Sequence, residues 1–196
     1  DSGLGRDEVF ITTKLPQGNA GKERQTIEAS LAALGIDQVD LWLIHWPPRG
    51  GARPDVWERL IEIQAAGLAR AIGVSNYDAA LIDEITGATG VAPAVNQIPW
   101  SPALFDAGVV EALRARGVTL EGYSPFKTTN ANDRVLTEIA SRHRVTPHQV
   151  ILRWHIQHGF VVIPKSSNPK RIAANFDVFG FELTPEEVAQ IDALGH

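Results

Sequence analysis

Cysteine is missing from this chain. That removes disulfides, thiolate-bound zinc and thiol nucleophiles from the possible chemistry, and it agrees with a cytoplasmic protein. Methionine is missing as well, and the first residue is Asp1, so a portion of a longer translation product is expected. No apolar run approaches the roughly 18 residues that span a bilayer, and no signal peptide opens the chain. Positive charge is scarce: 18 Lys and Arg stand against 23 Asp and Glu, for a net charge of -5, with no long basic run. A nucleic-acid partner is therefore not expected. The Gly-x-Gly-x-x-Gly fingerprint of dinucleotide-binding sheets is not found either.

What is present is globular. The 196 residues, 44% hydrophobic and 21% charged, suffice for one good core. The stretch Asp40-Leu41-Trp42-Leu43-Ile44-His45-Trp46-Pro47 organises the rest. Its apolar run from Leu41 to Ile44 predicts a strand buried on both faces of a parallel sheet. His45 follows at the carboxyl end, where β/α folds place their chemistry. Other strands are predicted over residues 9–14, 69–74, 94–98, 119–123 and 160–163. Helices are predicted over 22–34, 55–66, 78–85, 106–116, 133–143 and 147–158, with short ones from Pro169 and Pro185. Gly35 is the expected C-cap of the first helix, while Thr146 and Pro147 suit the N-cap and first position of the helix over 147–158. Strand starts recur about every 25 to 31 residues, apart from one longer interval holding two helices. That rhythm is βαβ. The expected fold is α/β, a single partial barrel domain over 1–196 with about six of the eight units of a (β/α)8 TIM-type barrel.

Each strand ends in polar side chains: Lys14, His45, Ser75 with Asn76, Gln97, Tyr123 with Ser124, and Lys165 with Ser166. Strands must end in something hydrophilic, but six such ends in succession predict one shared pocket. The segment Lys165-Ser166-Ser167-Asn168-Pro169-Lys170-Arg171 joins a strand end to a capped helix start with cations nearby, which suits an anion. His155 and His158 have the i,i+3 spacing of metal ligands, but no third ligand is evident and no metal is expected.

Ile11-Thr12-Thr13-Lys14-Leu15, Leu43-Ile44-His45-Trp46-Pro47, Ile72-Gly73-Val74-Ser75-Asn76-Tyr77, Asn96-Gln97-Ile98, Gly122-Tyr123-Ser124-Pro125 and Ile163-Pro164-Lys165-Ser166 occur in this order. Together they resemble the successive signatures of the aldo-keto reductases, along essentially the whole chain. The resemblance implies a (β/α)8 barrel that reduces aldehydes and ketones with NADPH, or less often NADH. It implies catalytic roles for Lys14, as the lysine that lowers the pKa of a tyrosine, and for His45, as the group orienting the carbonyl oxygen. Ser75, Asn76 and Gln97 would hold the nicotinamide carboxamide, and Tyr123 would stack on its ring. Ser124 and Phe126 join the implied cofactor-binding set. Lys165, Ser166, Ser167, Asn168 and Arg171 would take the 2′-phosphate, with Asn175 at the adenine. Those basic residues favour NADPH over NADH. Trp46 is the implied wall of the substrate site, and the partner is a small carbonyl compound, with no nucleic acid and no membrane.

Counted against the family, residues 9–14 match the third barrel strand. The resemblance then implies that the catalytic tyrosine and aspartate belong to units outside this sequence, since neither Tyr77 nor Tyr123 stands where the acid belongs. Barrel edges left unpaired in this way favour self-association. Lys127 stands where a small residue is common near the pyrophosphate, and Ala174 replaces an acidic residue near the adenine. Two further readings stay open: a non-catalytic cofactor-binding or interaction module of the same fold, and a barrel with Schiff-base chemistry at Lys14.

Overall fold

The computed structural model describes residues 3–49 and 51–195. The expected loops that include residues 1, 2 and 50, and the chain end at 196, lie partly outside the described residues. The chain divides into two compact units, Asp1–Asn96 with Leu113–Val118, and Gln97–Ala112 with Thr119–His196.

In the first unit the chain alternates β1 (Thr12–Leu15), α1 (Glu23–Leu34), β2 (Val39–Ile44), α2 (Pro54–Ala65), β3 (Ala69–Ser75) and α3 (Ala79–Thr89). Strand β2 pairs in parallel with β1 on one side and with β3 on the other. All six of its residues are buried, as the unbroken apolar run requires. Helices α1, α2 and α3 bury Ile27 and Leu31, Val56, Leu60 and Ile63, and Ile82 and Ile85. Each such side chain contributes about 1.5–3 kcal/mol when taken from water. Helix α1 stops at Gly35, whose φ of 66° lets its N–H reach back to the Leu31 and Ala32 carbonyls.

Strand β1 begins later than the β-branched run from Val9 suggests. A charge cluster takes its first residues. Asp40 is 3% exposed and accepts from the Ile11 N–H at 2.8 Å and from Arg6 at 2.7 Å, with Arg70 at 3.2 Å. Arg6 also holds the Val9 carbonyl at 2.8 Å. Side chains thus take the Ile11 N–H and the Val9 carbonyl, while the Ile11 carbonyl still accepts from the Asp40 and Leu41 N–H groups at 3.0 and 3.2 Å. The Ile11 N–H, ahead of the desolvation that opposes it, and then the arginines keep the Asp40 carboxyl below its ordinary pKa.

The second unit carries β5 (Thr119–Tyr123), α5 (Arg134–His143), α6 (Pro147–Gln157), β6 (Val161–Ile163), α7 (Pro169–Phe176) and α8 (Pro185–Asp192). Strands β5 and β6 are parallel, with Glu121 opposite Val161 and Tyr123 opposite Ile163. Two remaining elements, β4 (Val95–Pro99) and α4 (Ala107–Ala115), each run from one unit into the other along the chain. Helix α6 opens with the expected Thr146 cap and Pro147, and Gln149 closes a capping box. Its apolar face brings Trp154 into an aromatic cluster with Phe105 at 5.7 Å and Phe160 at 6.1 Å. Phe160 belongs to that cluster rather than to the strand predicted over 160–163, and its N–H goes to the His155 carbonyl. Among the described residues no helix is long and apolar enough to cross a membrane.

Candidate cofactor and catalytic site

The register of the first unit places three of the expected residues on one face. Lys14 is opposite Leu43, and Leu43 is opposite Gly73. Side chains alternate along a strand, so His45 and Ser75, each two residues further on, share the face of Lys14. Gly73 is where that face is tightest, since a Cβ there would come within 2.5 Å of the Val95 carbonyl oxygen. Partial desolvation and then the Lys14 charge push the His45 pKa down. A neutral imidazole at pH 7 offers one N–H donor and one acceptor.

Past the end of β3 the chain turns sharply. Asn76 adopts φ 63°, the left-handed region that asparagine tolerates better than most residues. From there its Nδ2 donates to the His45 carbonyl at 3.1 Å and to Ser75 Oγ at 3.0 Å. The loop is held from beneath by Asn96, whose Nδ2 donates to the Tyr77 carbonyl at 2.8 Å while its Oδ1 accepts the Tyr77 N–H at 3.4 Å. Asn96 is buried and went unassigned in the sequence, although an amide inside an apolar strand is a signal of such a clamp. Trp46 is 46% exposed, as a wall for a ligand must be, whereas Trp100 is 3% exposed and belongs to the aromatic core.

Two tyrosines occur in the sequence. Tyr77 is buried and donates its hydroxyl to the Ala52 carbonyl at 3.2 Å. Burial raises its pKa, and burial raises that of Tyr123 too. A tyrosine acting as an acid near pH 7 needs the opposite shift.

In the second unit Gln97, in the middle of β4, is buried and donates Nε2 to Glu121 Oε1 at 3.1 Å. Tyr123 follows Glu121 by two residues and shares its face of β5, half-buried. Ser124 then takes φ 55°, the same kind of left-handed turn as Asn76 at the end of β3. Such a conformation costs a non-glycine residue about 1–2 kcal/mol and occurs preferentially at functional turns.

Beyond the end of β6 lies a cavity of about 470 Å³. Lys165, Ser166, Ser167, Arg171, Asn175 and Phe126 all line it, which unites six of the residues named from the sequence. No carboxylate is among its lining residues. Asn168 lies just outside and caps α7, its Oδ1 accepting the Arg171 N–H at 3.2 Å, while its own N–H donates to Ser166 Oγ at 3.1 Å. It shapes the site rather than lining it. Two lining residues were missed, Thr146 and His148 at the start of α6. His148 meets Phe126 edge-on at 4.8 Å. The sequence carried no sign of this, because the pairing joins residues distant along the chain. His155 and His158 are also otherwise engaged: His155 lies between the Ile151 and Trp100 carbonyls, and His158 pairs with Asp192 at 2.8 Å.

Parallel strands alternating with helices, polar groups at the strand carboxyl ends and a basic cavity beside a capped helix define an α/β protein of nucleotide-dependent type. The chain matches the Aldo/keto reductase family over residues 3–196. It is 43% identical over 197 residues to an aldo-keto reductase of Mycolicibacterium vanbaalenii, covering 98% of this chain and 71% of that protein. A morphine 6-dehydrogenase of Pseudomonas putida is 41% identical over 211 residues, covering 99% and 71%. Among solved structures, the Bombyx mori aldo-keto reductase in complex with NADP superposes with a TM-score of 0.92 at 33% identity, covering 98% of this chain and 69% of that one. The chain belongs to the aldo-keto reductase family, and so to the NAD(P)H-dependent oxidoreductases.

Proposed function

We propose that this chain carries the third to eighth units of a (β/α)8 barrel that reduces the carbonyl of a small aldehyde or ketone with NADPH. The observation that carries the reading is the cavity beyond β6, where Lys165 and Arg171 stand with Ser166 and Ser167 and no opposing carboxylate. A ribose 2′-phosphate has the charge and the acceptor oxygens to match them. The neighbour solved with NADP supports the same choice.

NADPH supplies the hydride when bound. In the first unit Ser75 and Asn76 offer a hydroxyl and an amide suited to its carboxamide, and in the second Gln97 offers an amide and Tyr123 an aromatic face suited to the ring. His45, kept neutral by partial desolvation and Lys14, donates an N–H to the carbonyl oxygen. The Lys14 ammonium would lower the pKa of the tyrosine acid that the family implies, whose phenolic proton goes to the alkoxide oxygen as the hydride reaches the carbonyl carbon, and Trp46 forms an apolar wall.

Fluorescence titration tests the cofactor assignment. Replacing Lys165 and Arg171 together by Ala removes charged hydrogen bonds worth about 1.5–3 kcal/mol each, so NADPH affinity should fall at least about tenfold while NADH affinity changes little. Equal losses for both nucleotides would remove the case for NADPH. One alternative is a non-catalytic cofactor-binding module of the same fold. Tight NADPH binding without turnover of any aldehyde would decide for it.

A further inference from the structure

His148 is a polar side chain of the basic cavity that the cofactor reading leaves without a role. It is the second residue of α6, exposed, and its ring meets Phe126 edge-on at 4.8 Å. It lines the cavity of about 470 Å³ together with Lys165 and Arg171. Among the described residues neither of its ring nitrogens has a hydrogen-bond partner, and neither the Lys165 nor the Arg171 side chain has an ion-pair partner. The other histidines of this unit differ: His143 and His158 are bonded to carboxylates, and His155 to backbone carbonyls. Thr146, the second lining residue at the start of α6, already uses its hydroxyl in the capping box with Gln149.

We infer that His148 is a further specificity-determining residue of the cofactor site, an assignment that rests on the NADPH reading above. As an imidazolium it joins Lys165 and Arg171 around the ribose 2′-phosphate and ties the preference for NADPH over NADH to pH. Histidine is the side chain that changes charge between pH 5 and 8. Of the charged groups on the surrounding elements, Lys165 after β6 and Arg171 on α7 line the same cavity, Lys127 follows Phe126 along the chain, and Arg144 ends α5. The acidic residue on this side is Asp177 at the end of α7, outside the cavity lining, with its carbonyl taken by Gln149 Nε2 at 2.7 Å. A phosphate dianion placed among these groups favours a proton on the imidazole. Binding NADPH then takes up a proton, whereas NADH, which has no 2′-phosphate, takes up none here.

Fluorescence titration of NADPH and NADH at pH 6 and pH 8 tests this. The readout is the ratio of the two affinities, from which groups that act on both nucleotides alike drop out. The 2′-phosphate itself loses a proton near pH 6, which raises the ratio toward pH 8 in every variant. His148→Gln reports that contribution alone. From pH 8 to pH 6 the ratio in the unsubstituted protein should gain about two- to fivefold over the ratio in His148→Gln, the scale of one partly exposed charge pair. His148→Arg carries its charge at both pH values, so its ratio should follow the trend of His148→Gln yet exceed that of the unsubstituted protein at pH 8. Parallel trends in the unsubstituted protein and His148→Gln would overturn the inference. Failure of the unsubstituted protein to bind NADPH at either pH would instead sink the NADPH reading itself.

Discussion

His155, for which no third metal ligand was evident in the sequence, is a core residue. Its spacing to His158 suits a metal, yet its ring is fully buried between two carbonyl oxygens, Nδ1 2.8 Å from Ile151 and Nε2 3.3 Å from Trp100. Burial drives its pKa down from 6.5 to about 4, against the pull of both carbonyls. The unfolded chain therefore binds the proton that the folded chain refuses. The stability held at neutral pH is lost as pH falls from about 6.5 toward 4. Between pH 7 and pH 5 the loss from this residue should be about 2 kcal/mol, at 1.36 kcal/mol per unit. Urea unfolding at both pH values measures it, and His155→Gln should flatten the difference. A slope unchanged in that variant would assign the acid sensitivity to other groups.

At the level of elements, helix ends were the most legible feature. Gly35, Thr146 and Asn168 stand where their types predict, because a cap is decided by a few adjacent residues. Thr146→Ala should cost about 1 kcal/mol, against a few tenths for Thr146→Ser, as a shift in the denaturation midpoint. Equal midpoints would mean the capping box with Gln149 contributes nothing. Strand ends were less legible. The β-branched run from Val9 reads as strand, but the Asp40 side chain, from β2, takes the Ile11 N–H and the neighbouring Arg6 takes the Val9 carbonyl. Another such case is Glu187 on α8. Its burial would raise its pKa, yet His143, the Thr184 N–H and Arg142 hold it below the ordinary range. Thr184-x-x-Glu187 is legible locally as a capping box, but nothing near α8 announces His143 and Arg142.

At the scale of the whole molecule, five of the ten large apolar side chains exposed among the described residues line one cavity. Strand β6 pairs with β5 alone among the described residues, and its Val161 and Ile163 are 45% and 40% exposed. They line a cavity of about 840 Å³ with Phe176 and Phe179, both still more exposed. An apolar strand edge of this kind associates in water. Sedimentation velocity of this chain should show mass rising with concentration, and Val161→Lys with Ile163→Lys should suppress it. A monomer at every concentration would disprove the expectation.

By itself the sequence determined the βα rhythm, the caps, the buried β2 strand and the polar residue at each strand end. These depend on the period of apolar residues and on neighbours a few positions away. Only the tertiary structure decided that His45 lies beside Lys14, that Asn96 clamps the loop at Tyr77, that His148 joins the basic cavity, and that Glu121 faces the Gln97 amide. Those relations join side chains from separate strands and helices. Register and packing bring such groups together, and neither is written in the spacing of residues along one segment.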